Sequence, residues 1–283
     1  MFIENLLRNK KVIVTGGATG IGYAIAERAA ALGATVAIIS RNEKNLANAV
    51  ESISKNGGKA IFRVGDVRNW EHISNALDSA YSEMDGVDVL VNNAAGNFIN
   101  RTENISEHGF QSIIGTVLNG TINCSMVIGR KWISTGSKGN IINITATYAW
   151  TGSAFVVPSA VSKAGVLALT RSLAVEWGIK GIRVNAIAPG PFNTERMMKR
   201  LMPSEEIVES VKRKNPFGRF GRLDEIANLA IFLMSEGAEF INGEVITIDG
   251  GEWLMGAGQF NGLMSMDSSF WDAMNRMRIP RDQ

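Results

Sequence analysis

One stretch of this chain is built to hold phosphate. The run Thr15-Gly16-Gly17-Ala18-Thr19-Gly20-Ile21-Gly22 joins an apolar, β-branched run (Lys11–Thr15) to a helical pattern over Tyr23–Leu32. Glycines there allow a tight turn and close approach of backbone to a pyrophosphate, and the helix start offers unpaired N–H groups and a positive dipole end. The next apolar run, Thr35–Ser40, ends in Ser40-Arg41-Asn42 with no carboxylate. A carboxylate at that place binds a ribose 2′-hydroxyl, whereas an arginine pairs bidentately with a 2′-phosphate, and Ser40 or Asn42 can add hydrogen bonds. The pattern therefore reads as an NADP(H) site. The competing reading is a structural turn with Arg41 as a solvated loop charge.

Other chemistries are poorly served. The chain has only two histidines, His72 and His108, both among polar residues, so neither a Ser-His-Asp triad nor a histidine-rich metal site is expected. Cys124 has no second cysteine to pair with, which suits a reducing compartment, and its apolar neighbours suggest a buried small side chain. A net charge of +2 makes nucleic acid a poor partner. No leader segment is recognised, and no apolar run is read as approaching the roughly 20 residues of a membrane span. A cytoplasmic protein without membrane contact is expected.

These residues need a scaffold, and the hydrophobic pattern supplies one. Strand-like runs at Lys11–Thr15, Thr35–Ser40, Lys59–Val64, Val87–Asn92, Asn140–Ile144, Ile182–Ile187 and Val245–Asp249 alternate with helical patterns. The helices are expected over Tyr23–Leu32, Glu43–Asn56, Trp70–Met84, Ser106–Ile133, Ser159–Trp177 and Glu225–Met234. Continuous apolar strands separated by helices predict a single α/β domain of the Rossmann type, with a parallel sheet covered on both faces and seven countable strands. The tail Gly256–Gln283 carries Phe260, Leu263, Met264, Phe270, Trp271, Met274 and Met277. It reads as a packing arm or subunit contact, or as a lid.

The chain resembles the short-chain dehydrogenase/reductase superfamily. The resemblance rests on Thr15–Gly22, Asp66-Val67, Asn92-Asn93-Ala94-Ala95-Gly96, Asn119-Gly120, Ser162-Lys163-Ala164-Gly165 and Pro189-Gly190, in that order. It implies a seven-stranded, doubly wound parallel sheet and a tetramer, with the helices Ser106–Ile133 and Ser159–Trp177 pairing between subunits. It also implies that Asp66 and Val67 contact the adenine and that Asn93 and Ala94 line the cofactor. Thr194, after the Pro189-Gly190 turn, would meet the nicotinamide amide or the diphosphate, and Lys163 the nicotinamide ribose.

The departures from that pattern are the informative part. The superfamily's carbonyl chemistry uses a tyrosine four residues before the lysine, where this chain has Ser159, and a serine where it has Ala146. Either the protein is catalytically silent or its chemistry is centred elsewhere. Tyr148, fifteen residues before Lys163, and Asn97, after the Asn-Asn-Ala-Ala-Gly turn, both stand at expected strand ends. The strings Asn93–Ile99, Val117–Thr121, Tyr148–Gly152, Phe155–Ser159, Asn185–Pro191 and Ile241–Gly243 resemble the flavin-free, NADPH-dependent 2,4-dienoyl-CoA reductases.

That resemblance implies a mechanism. Hydride enters a dienoyl thioester at Cδ, and negative charge moves to the thioester oxygen. The Tyr148 hydroxyl and Asn97 amide would receive it, with Lys163 nearby, Ser159 hydrogen-bonding in the same place and water as the proton donor. Asn119 would be structural or a relay. Arg68, Phe98, Ser106 and Arg200 match positions that touch acyl-CoA, the arginines at phosphate and Phe98 along the acyl path. The Met-rich stretch Phe192–Pro203 would be a mobile substrate loop or a fixed amphipathic helix. Tyr148 as a packed aromatic, Asn97 as a turn cap, an enoyl- or 3-oxoacyl-thioester reductase, and an NADP(H) sensor remain open readings.

Overall fold

A computed structural model describes residues 2–202 and 204–278 of the chain. Its first half repeats a strand-helix unit: β1 (Lys11–Thr15), α1 (Gly20–Ala31), β2 (Thr35–Ser40), α2 (Glu43–Lys55), β3 (Lys59–Val64), α3 (Trp70–Glu83) and β4 (Val89–Asn92). Next come α4 (Glu107–Ile114), a π-helical turn (Gly115–Asn119), α5 (Gly120–Thr135), β5 (Gly139–Ile144), α6 (Tyr148–Thr151), α7 (Val157–Gly178) and β6 (Ile182–Pro189). The last third holds α8 (Glu195–Leu201), α9 (Glu205–Lys214), α10 (Leu223–Met234), β7 (Val245–Ile248), α11 (Glu252–Ala257) and α12 (Ser268–Arg278).

Among the described residues the strands form one parallel sheet in the order β3-β2-β1-β4-β5-β6-β7, the doubly wound arrangement expected. Uninterrupted apolar strands demand cover on both faces. On one side Val14, Ile38 and Val91 pack with Ile25, Leu46 and Ile231 of the helices. On the other, Ile13, Leu90 and Ile141 meet Leu77, Ile128 and Trp132. The strand order reverses between β1 and β4, whose ends lie in register with Thr15 opposite Asn92. A crevice opens at such a reversal, outside the carboxyl ends of the strands.

Two expectations are sharpened and one is corrected. The helix expected over Ser106–Ile133 is one helical run, but it is widened by the π turn where it passes the loop after β3. Gly120 is required there, because a Cβ on it would lie 2.6 Å from Val67 Cγ2. That run, Glu107–Thr135, is 29 residues long and apolar enough to cross a membrane, contrary to the sequence reading. It serves here as a core helix, with Cys124, Ile128 and Trp132 buried. Of the two readings open for Phe192–Pro203, the described part contains a helix, α8, whose start is capped by the Thr194 hydroxyl accepting the Met197 N–H at 3.1 Å. Pro203 and residues 279–283 of the C-terminal arm lie outside the described residues.

Candidate active site

The glycine loop is clamped to the end of β4. The Asn93 amide donates to the carbonyls of Thr15 and Gly16 at 3.1 and 3.2 Å, and the Thr15 hydroxyl accepts the Asn93 and Ala94 N–H groups, both at 3.1 Å. Gly22 admits no side chain, since a Cβ would sit 2.3 Å from the Asn93 amide nitrogen and 2.5 Å from the Gly16 carbonyl oxygen. Thr19, at the N-cap of α1, makes no side-chain capping bond, and with Gly20 and Ile21 it fronts the helix start. Thr194 faces Gly20, where a Cβ would be 3.4 Å from its methyl. A cradle closed to side chains beside free backbone donors fits a dinucleotide diphosphate. Across the sheet, Gly190 follows Pro189 and bonds the Ile248 carbonyl at 3.0 Å.

Ser40 and Arg41 close β2, with Arg41 exposed. Asp66 is held below its ordinary carboxylate pKa, first by its hydrogen bonds from Arg68 and also by the charge of Arg41. The Arg68 guanidinium takes both Asp66 oxygens, at 2.6–3.0 Å. Arg68, expected to meet a CoA phosphate, is thus engaged with the residue expected at the adenine. Val67 is buried against Gly120.

Opposite this wall, α7 presents Ser159 and Lys163 one turn apart, both buried. The Lys163 ammonium donates to the Ile144 carbonyl at the end of β5, and burial lowers its pKa to about 8. Tyr148, on the short α6 just past β5, puts its hydroxyl 3.0 Å from Ser159 Oγ. Burial raises the phenol's pKa above its ordinary value, so it stays protonated near neutrality and can donate. A phenol thus arrives at the position four residues before the lysine, from a different element.

Asn97 lies in the loop after β4. Its carboxamide oxygen accepts the Phe98 N–H at 2.9 Å, which leaves the NH2 end as a donor. The same loop is tied to the α6–α7 connection, where the Asn100 N–H donates to the Phe155 carbonyl at 2.9 Å. Phe155 adopts a left-handed backbone (φ 65°), a strained choice for a bulky residue and one that concentrates at functional sites. Phe98 reaches the first turn of α4 near Gly109, where the Ser106 hydroxyl accepts the Gly109 N–H as a helix cap. Ser106 is therefore committed to a cap, and Asn119, exposed at the π turn, makes no side-chain hydrogen bond among the described residues.

Two functional candidates escaped the sequence. Trp253 of α11 stacks on Trp150 of α6 with ring centroids 5.0 Å apart, bracing the segment that carries Tyr148. Arg196 of α8 donates to the Ala95 carbonyl at 3.2 Å. Its spacing of four from Arg200, which puts both on one helix face, was the available signal.

A family model described as "Enoyl-(Acyl carrier protein) reductase" matches residues 16–252. The chain is 45% identical over 249 residues to a Bacillus subtilis (strain 168) protein named probable 2,4-dienoyl-CoA reductase [(2E)-enoyl-CoA-producing], covering 88% of this chain and 98% of that one. It is 41% identical to the Caenorhabditis elegans probable 2,4-dienoyl-CoA reductase 3 [(3E)-enoyl-CoA-producing], covering 97% and 91%. A crystal structure of a short chain dehydrogenase from Bacillus anthracis str. 'Ames Ancestor' superposes with a TM-score of 0.78 at 45% identity, covering 86% and 96%. A gluconate 5-dehydrogenase from Burkholderia cenocepacia J2315, in complex with NADP and tartrate, gives 0.82 at 29% identity, covering 87% and 95%. The clamped glycine loop, the parallel sheet and the buried lysine on α7 agree with these likenesses, and the chain is an oxidoreductase belonging to the short-chain dehydrogenase/reductase family.

Proposed function

We propose that this protein reduces 2,4-dienoyl-CoA thioesters with NADPH, a step auxiliary to unsaturated fatty acid oxidation. The observation that carries the reading is the Tyr148 hydroxyl placed 3.0 Å from Ser159, in the position the superfamily gives to its acid. A ketone reductase needs an acid that gives up a proton to oxygen. A dienoyl reductase needs donors that hold a developing oxyanion, and a buried, protonated phenol suits that task.

NADPH, when bound, supplies the hydride that enters the substrate at Cδ. Gly16–Gly22, Asp66, Val67, Asn93, Ala94, Pro189, Gly190 and Thr194 would hold the cofactor, with Ser40 and Arg41 at its 2′-phosphate and Lys163 at the nicotinamide ribose. Tyr148 and the amide of Asn97 hold the thioester oxygen as charge gathers there, and Lys163 favours that charge. Water then protonates the dienolate. Protonation at Cα yields the 3-enoyl thioester and at Cγ the 2-enoyl one. Phe98 lines the acyl path, and Arg200 meets a CoA phosphate. The exposed apolar side chains of Val175 on α7 and of Ile179 just past its end support a homotetramer, for which light scattering is the check.

The test is NADPH consumption with 2,4-hexadienoyl-CoA, crotonyl-CoA and acetoacetyl-CoA in parallel. Turnover of the dienoyl thioester alone is expected, and turnover of acetoacetyl-CoA would overturn the reading. Arg41→Asp is expected to raise the dissociation constant for NADPH about 10- to 100-fold, the worth of a charged hydrogen bond, with NADH little affected. An unchanged preference would remove Arg41 from the 2′-phosphate.

A further inference from the structure

We propose that Arg196 is a clasp for the cofactor's diphosphate, closing α8 over the groove between the glycine loop and the loop after β4. The inference rests on the NADP(H) reading and adds a residue that neither the motifs nor the family resemblance supplies. The groove's first wall is the glycine loop, against which Thr194 is seated at Gly20. Its second wall is the loop after β4, where Ala94 Cα lies 3.0 Å from the place a Cβ on Gly16 would take. Arg196 stands two residues beyond Thr194, in the first turn of α8, and its guanidinium donates to the Ala95 carbonyl, 101 residues away in sequence. The side chain therefore reaches from the helix that starts at the first wall to the second, across the groove in which the glycine loop and the start of α1 would hold a diphosphate.

Its charge has no local purpose. Among the described residues Arg196 forms no ion pair, and its charged neighbours are the cations Arg200 and Arg41. Partial burial comes first, then those two charges, in holding its pKa below the ordinary guanidinium value. A residue needed only to strap α8 to a carbonyl requires one neutral N–H, and a third arginine beside two others is a repulsive way to provide it. A guanidinium has five N–H donors, so with one on Ala95 the others remain for phosphate oxygens. Arg196 is only partly buried and keeps a face to solvent, which leaves it free to receive an anion and to release it.

The experiment measures dissociation constants and dissociation rates of NADPH and NADH on the full chain, by nicotinamide fluorescence and stopped flow. The proteins compared are wild type, Arg196→Ala, Arg196→Gln and, as reference, Arg41→Asp. Arg196→Ala and Arg196→Gln are each expected to weaken both nucleotides about 10- to 100-fold, mainly through faster release, because both nucleotides carry the diphosphate. Gln keeps a donor for Ala95 but has no charge, so wild-type behaviour in Arg196→Gln would reduce the residue to a neutral strap and overturn the proposal. Loss confined to NADPH would also overturn it, by reassigning Arg196 to the 2′-phosphate. So would unchanged nucleotide binding with a raised KM for acyl-CoA. Failure of the wild type to bind either nucleotide would instead overturn the cofactor reading on which the proposal stands.

Discussion

Tyr148→Phe is expected to lower kcat for 2,4-hexadienoyl-CoA about 10²- to 10³-fold, the usual effect of removing one oxyanion donor from a preorganised site. The substitution keeps the ring and deletes only the hydroxyl. The stack of Trp150 on Trp253 and the buried Ala149 still hold α6 in place, so folding should suffer by no more than about 1 kcal/mol, the net worth of one hydrogen bond. NADPH affinity should be retained, because the cofactor cradle is built from β1, β4 and α1. Steady-state kinetics together with nucleotide titration check this. A tenfold or smaller fall in kcat would make Tyr148 a packing residue, and a matching loss of NADPH affinity would make it part of the cofactor wall.

The second large effect concerns Lys163. Its ammonium is buried, its hydrogen-bond partner is the Ile144 carbonyl, and its pKa falls from 10.5 to about 8. Burial disfavours the charged form, so the folded-state pKa lies below the unfolded one. Below pH 8 both states carry the proton and the full cost of burying the charge is present. Between about pH 8 and 10.5 the unfolded chain binds more protons, so stability of the cofactor-free protein should rise with pH through this group. Lys163→Met should be more stable than wild type at pH 7 and should lack this rise. It should nonetheless lose at least about 10² in kcat, since the charge that favours the developing enolate is gone. Denaturant melts across this window, run beside turnover assays, distinguish the cases. Parallel stability profiles for the two proteins would mean that the lysine is solvated.

The sheet was readable because parallel strands buried on both faces must be largely apolar, and a run such as Thr35–Ser40 is of that kind. The glycine loop was readable because turn and approach to phosphate need that residue type. Short helices were not. α6 has four residues and α8 seven, too few for a hydrophobic period to show, yet α6 carries Tyr148 and α8 carries Arg196 and Arg200. Capping by Thr194 and bracing by Trp253 make these helices, and both act through three-dimensional neighbours. Local pairing was invisible for the same reason. Arg68 stands two residues from Asp66 and takes it as partner, and Ser106 spends its hydroxyl on a helix start. Sequence placed Ser159 near the reacting oxygen but did not foresee that it would be the hydroxyl Tyr148 reaches.

The most direct test is a crystal structure of the protein with NADP⁺ and a 2,4-dienoyl-CoA. The account predicts the Tyr148 hydroxyl and the Asn97 amide nitrogen both about 2.7–3.1 Å from the thioester oxygen, the range of an oxyanion donor. An oxygen bound by Ser159 or Lys163 instead, with the Tyr148 phenol and Asn97 carboxamide turned away, would contradict it.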